Sequence, residues 1–237
     1  MDISADLSFI PYPAQRTIVA EALATAQADA EIAGLLLAGS LARGDAAWLA
    51  DVDLYLLLQD GGSRTSRAEL RDGILVEWHY ADMARAQTKL TTNPMALYTY
   101  LDGRILYDPA GHLHTLTTLA RQRFDSYTVS DRERAGIAHW LLSAQLKVVA
   151  ARDSGDALKA GYIVTTTAFE VLVALWAINE RPMPASGGVL AHLADLPQQP
   201  DHLPHWREQL FQGSLTERIT TFEALCQWLI PRLQPPQ

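Results

Sequence analysis

Residues 35–58, LLLAGSLARGDAAWLADVDLYLLL, decide the fold. An apolar run at 35–38 meets the small polar pair Gly39-Ser40, and ten residues further on Asp51-Val52-Asp53 leads into a second apolar run at 54–58. Short apolar runs bounded by turn residues read as neighbouring buried strands. On a strand, residues two apart share a face and lie about 6.6 Å apart along the chain, so Asp51 and Asp53 present carboxylates to one side. Like charges that close raise at least one pKa unless a counter-ion joins them. Magnesium supplies such a counter-ion, since it is held by one or two carboxylates together with substrate phosphates. A small polar turn beside two carboxylates is therefore a place for a nucleotide and its metal.

A third acid lies downstream. Residues 74–80, Ile-Leu-Val-Glu-Trp-His-Tyr, follow an Asp72-Gly73 hairpin signal and read as a strand whose single acid is Glu77. Period two puts Leu75, Glu77 and His79 on one face and Val76, Trp78 and Tyr80 on the other. An acid in so apolar a strand needs a partner, and metal or substrate provides one. His79 shares its face and reads as a satisfied structural histidine ahead of a ligand.

Gly39-Ser40, Ala42-Arg43-Gly44 and Asp51-Val52-Asp53 entering a hydrophobic strand resemble the nucleotidyltransferase superfamily that includes DNA polymerase beta and the small antibiotic nucleotidyltransferases. The resemblance implies that Gly39 and Ser40 bind a triphosphate and that Asp51 and Asp53 bind magnesium. It also implies a third carboxylate acting as metal ligand or as general base toward the acceptor hydroxyl. Glu77 fills that place, resembling the Leu-Glu-Val element of aminoglycoside adenylyltransferases. Where family members usually carry Ser or Thr before the first Asp, this chain has Ala50.

Residues 39–44 also have the Gly-x4-Gly spacing of a P-loop, but Asp45-Ala46 stands where Lys-Ser or Lys-Thr is required, which excludes a Walker-type ATPase. Arg43 either pairs with phosphate or is a surface arginine, and the sequence leaves both open. The net charge of −8 speaks against a nucleic-acid backbone as partner, and lysine occurs only at 89, 147 and 159. An acidic chain favours cationic small molecules, among them aminoglycosides. The longest apolar run, 163–178, contains Glu170 and three threonines and reads as a buried helix too short for a bilayer. Residues 1–7 carry two acids and no cation, so no secretory leader is expected. The lone Cys226 cannot form an internal disulfide, which fits a cytoplasmic location.

The chain of 237 residues has room for two modest cores. The expected fold is α+β: a mixed β-sheet nucleotidyltransferase domain with flanking helices over 1–111, then an α-helical bundle over 112–237 on the acceptor side. Helices are expected at 13–28, 82–90 and 94–101, with a last short strand at 104–107. The turn Asp108-Pro109-Ala110-Gly111 marks the border. In the second half Ser130-Asp-Arg-Glu133 is a capping box opening a helix to 153, and further helices are read at 156–180, 188–195, 202–211 and 215–233. Trp140, Trp176, Trp206 and Trp228 read as bundle core. His112 with His114, and His202 with His205, lack a third ligand at zinc spacing.

The function expected is magnesium-dependent transfer of a nucleoside monophosphate, AMP from ATP, to a hydroxyl of a small molecule. The resemblance makes an aminoglycoside or similar antibiotic the first acceptor to consider. Two alternatives stay open: a protein or RNA acceptor, as in adenylylating antitoxins, and a non-catalytic nucleotide-binding module. A homodimer is possible, and no membrane partner is expected.

Overall fold

The computed structural model describes residues 6–234. Residues 1–5, on which most of the reading of the leader rests, lie outside that range. The chain forms two compact units. The first is Met1–Ser126 together with Pro184–Ala191, and the second is Tyr127–Met183 with His192–Gln237.

The first unit is built on a five-stranded mixed sheet in the order β3-β4-β2-β1-β5. Its strands are β1 (Ile32–Ala38), β2 (Val52–Leu58), β3 (Arg67–Arg71), β4 (Ile74–Asp82) and β5 (Arg104–Tyr107). β2 and β4 run parallel, and the other pairs are antiparallel. The expected hairpin at Asp72-Gly73 joins β3 to β4, with both turn residues at positive φ.

Strand alternation divides the apolar side chains between two cores. Leu35, Leu37, Val52, Leu54, Val76 and Trp78 face one side, where α1 (Pro13–Ala28) covers them with Ile18, Val19, Ala22 and Leu23. This is the helix face read from the sequence, and Pro at its start fixes the first turn without losing a needed donor. On the opposite side Leu36 and Leu57 meet α3 (Met83–Thr92), α4 (Leu97–Leu101) and α5 (His112–Asp125). Asp82 caps α3, its carboxylate accepting from the Arg85 amide at 2.9 Å.

The border expected at Gly111 moves to Ser126 because α5 belongs to the sheet. Leu113, Leu116 and Ala120 are at most 1 % exposed in the second core, so the amphipathic face of α5 is used up against β1, α3 and α4. A turn signal marks where an element ends, and packing decides which unit the next element joins.

The second unit is helical: α6 (Asp131–Asp153), α7 (Ala157–Ile178), α9 (Leu203–Gln212) and α10 (Leu215–Leu233), while α8 (Ser186–His192) lies almost wholly in the returning segment of the first unit. Ser130 caps α6 through the Glu133 amide, and Ser214 with Glu217 forms a full capping box on α10. Helix α7 is long and apolar enough to cross a membrane, contrary to the length reading, and 56 % of its most apolar window is buried inside the protein. Trp176 and Trp206 are core as expected. Trp140 is not, being 56 % exposed.

Candidate active site

The short helix α2 (Gly39–Arg43) follows β1 directly, and Gly44 ends it in the left-handed conformation. Gly39 itself has a φ of +67°. That backbone brings it so close to β2 that a Cβ there would lie 2.0 Å from Asp53 Oδ2. The loop from Gly44 to β2 is tied to α1, with Tyr12 Oη donating to the Ala46 carbonyl (3.1 Å) and the buried Gln15 Nε2 to the Ala50 carbonyl (3.4 Å).

The parallel register then sets the chemistry. Asp53 stands opposite Glu77 and Tyr55 opposite His79, while Ala38 of β1 flanks Asp53 from the other side. Going along this face of β2 and β4, the pairs are Asp53 and Glu77, then Tyr55 and His79, then Leu57 and Ala81. The face runs from carboxylates through aromatic rings to the core under α3 and α5.

Burial of the Asp53 carboxyl, the neighbouring charges of Asp51 and Glu77, and a hydrogen bond with Glu77 push its pKa up to about 7 from an ordinary 3.8. Arg43 opposes this rise. Two acids this close in a half-buried site are a pair awaiting a cation. The Tyr55 and His79 rings stack at 4.4 Å between centroids, and burial holds the imidazole pKa below its usual value, so the ring is neutral at pH 7.

A cavity of about 460 Å³ gathers Gly39, Ser40, Arg43, Asp51, Asp53 and Glu77, every residue the sequence singled out for the site. Two placements differ from expectation. Asp51 lies just before β2 and is exposed, so it stands at the rim instead of sharing the strand face with Asp53. The side chains whose donor atoms close to within 4.8 Å of one another are Asp53, Glu77 and His79. Among the described residues neither His79 nitrogen has a hydrogen-bond partner, so the satisfied structural histidine expected from the sequence is not what is found. Arg43 lines the cavity but is already engaged, with Asp45 at 3.2 Å, Asp102 at 3.8 Å and the Gly187 carbonyl at 3.1 Å.

No family model matches the chain, and no curated protein matches it. Among solved structures, a nucleotidyltransferase-like protein from Exiguobacterium sibiricum resembles it at 18 % identity, with a TM-score of 0.41 over 92 % of this chain and 73 % of that one.

Sequence reasoning missed the returning segment. Pro184–Ala191 belongs to the sheet unit, and Pro184 to Gly188 form one wall of the cavity. Its one signal was Ser186-Gly187-Gly188, a run of small residues that suits close approach of backbone to a ligand.

The donor set fits a divalent cation: two hard carboxylate oxygens from Asp53 and Glu77, a third available at Asp51, and a neutral imidazole nitrogen. Imidazole is a better donor to manganese and its later neighbours than to magnesium. His79→Phe, which keeps a ring against Tyr55 and removes both nitrogens, is expected to weaken Mn²⁺ binding about tenfold or more while leaving Mg²⁺ binding nearly unchanged. Titration of free Mn²⁺ by electron paramagnetic resonance measures this, and equal Mn²⁺ affinity in both proteins removes His79 from the ligand set.

Proposed function

We propose that the chain is a magnesium-dependent nucleotidyltransferase that moves a nucleoside monophosphate, AMP from ATP, onto a hydroxyl of a small molecule and releases pyrophosphate. The observation that carries this reading is the register of β2 against β4, which sets Asp53 beside Glu77 at one end of the sheet, against the Gly39-Ser40 turn and in one cavity.

In this reading Gly39 and Ser40 hold the triphosphate, and Asp53 and Glu77 hold the metal, with Asp51 reaching it from the rim. When bound, magnesium neutralises charge on the attacking and leaving oxygens of an in-line displacement. The Glu77 carboxylate accepts the proton of the acceptor hydroxyl. The acceptor oxygen forms its bond to the α-phosphorus as the bond from that phosphorus to the bridging oxygen breaks, and the electron pair leaves with pyrophosphate. Tyr55 and His79 supply a rigid wall beside Glu77, which keeps the acceptor hydroxyl close to its base.

Glu77→Gln retains the shape and loses the base, so pyrophosphate release should fall about 10² to 10⁴-fold with ATP binding kept within a few fold. Stopped-assay turnover and isothermal calorimetry separate the two quantities, and a parallel loss of both would make Glu77 a ligand only. The test of the whole reading is pyrophosphate release from ATP, GTP, CTP and UTP with magnesium against panels of aminoglycosides, lincosamides and simpler alcohols. The aminoglycosides are included because the sequence resemblance brings them. A wild-type protein that shows no magnesium-dependent ATP binding and no release with any acceptor overturns it.

A further inference from the structure

Beyond Tyr55 and His79 the same sheet face opens into a second cavity of about 210 Å³. Tyr55, His79 and Thr99 line both cavities, so the second adjoins the one that holds the acids. Its position separates the two substrates. Gly39 and Ser40 lie on the β1 side of Asp53, whereas this cavity lies past Glu77 along β4, where an attacking hydroxyl must approach.

The lining describes what would bind. Tyr55 and Tyr100 bring aromatic rings, and no aspartate or glutamate is present among the residues that line it. Two cations stand there instead. Arg85 is engaged by the Asp82 carboxylate, Ser63 Oγ and the Gly62 carbonyl. Lys89 is exposed, makes no ion pair among the described residues, and holds its ammonium 5.6 Å from the centre of the Tyr55 ring. A flat ligand could lie against the rings and offer an anion to Lys89.

Size and charge narrow the class. The volume is below the roughly 300 Å³ at which clefts begin to hold drug-sized ligands. It equals about seven waters at roughly 30 Å³ each, enough for one ring and a short substituent. A polycationic aminoglycoside would meet the ammonium of Lys89 here, which no carboxylate among the described residues neutralises.

Resting on the transferase reading above, we propose that this cavity is the acceptor subsite and that the acceptor is a one-ring phenol or aromatic alcohol carrying a carboxylate or similar anion. Its hydroxyl is directed back past His79 to Glu77, which takes the proton as the oxygen attacks the α-phosphorus. Its anion pairs with Lys89.

The experiment uses the full chain with magnesium and labelled ATP, and three probes: para-hydroxyphenylacetate, its amine counterpart tyramine, and kanamycin. Calorimetry measures binding and product analysis measures transfer, for the wild type, Lys89→Gln and Lys89→Glu. Lys89 is exposed and makes no ion pair among the described residues, and a thermal melt of each variant verifies that the fold is kept. The wild type is expected to bind the phenolic acid at least about tenfold more tightly than tyramine and to adenylylate it. Lys89→Gln should abolish the preference, and Lys89→Glu should reverse it. An order of preference unchanged in Lys89→Glu overturns the proposal. So does transfer to kanamycin with none to the phenolic acid, an outcome that leaves the transferase reading standing. Failure of that reading shows separately, as absence of magnesium-dependent ATP binding in the wild type.

Discussion

Asp53→Asn is expected to lower pyrophosphate release by at least about 10³-fold and, in the same protein without metal, to raise the melting temperature above pH 7. The activity loss follows from removing the carboxylate at the centre of the site, which faces Glu77 across the β2–β4 pair. The stability gain follows from its titration. The folded value of about 7 lies above the ordinary 3.8, so the native state holds the Asp53 proton more tightly than the unfolded chain. That contribution is whole below the unfolded value and is lost as pH rises through about 7. Above pH 7 the metal-free protein therefore carries a buried charge beside Asp51 and Glu77, at a cost on the order of 2 to 4 kcal/mol. Asparagine carries no charge and avoids that cost. The variant should melt about 5 °C or more above the wild type at pH 8, with a difference that shrinks toward pH 4. Saturating magnesium should close the gap by stabilising the wild type. A pH-independent difference in melting temperature, or turnover within tenfold of wild type, would falsify this account of Asp53.

Gly39→Ala should be nearly as damaging to turnover, for a steric reason. Alanine would have to adopt a φ of +67° and would place its Cβ 2.0 Å from Asp53 Oδ2. The positive φ costs about 1 kcal/mol or more. The overlap cannot be relieved at the backbone of β2, which is paired on both sides, so the Asp53 carboxylate has to swing away. Turnover should fall about 10² to 10³-fold, with metal affinity falling alongside. Gly44→Ala is the control, because its φ of +91° brings a similar strain while its Cβ meets nothing within 4 Å. Equal kinetic losses in the two variants would show that strain in the α2 turn, and not contact with Asp53, is responsible.

Much of the sheet unit was legible because its signals are local. Apolar runs, an Asp-Gly hairpin and an aspartate cap each act over a few residues, and each appears where the sequence put it. The face of β4 that carries Glu77 followed from alternation alone, since Val76 and Trp78 are buried in the α1 core. What was illegible depended on contacts between distant segments. His79 came to share a cluster of possible metal ligands with Asp53 and Glu77 through the register of two strands, which period two does not specify. Asp51 missed the strand face because β2 begins one residue after it. Trp140 reads as core on residue type alone, but it lies on α6, of which only five residues are buried, so the apolar stripe of that helix is too narrow to take it in.

The return of Pro184–Ala191 to the sheet unit bears on how far that unit can be treated as a module. A polypeptide cut at Ser126 keeps every strand, Asp53, Glu77 and the α5 packing, yet lacks the Gly187 carbonyl that holds Arg43 and the wall from Pro184 to Gly188. No single cut separates the two halves with the cavity intact. The helical half therefore cannot be exchanged for another as an independent cassette: whatever replaces it must return the same eight-residue segment, Pro184–Ala191, to the wall of the site.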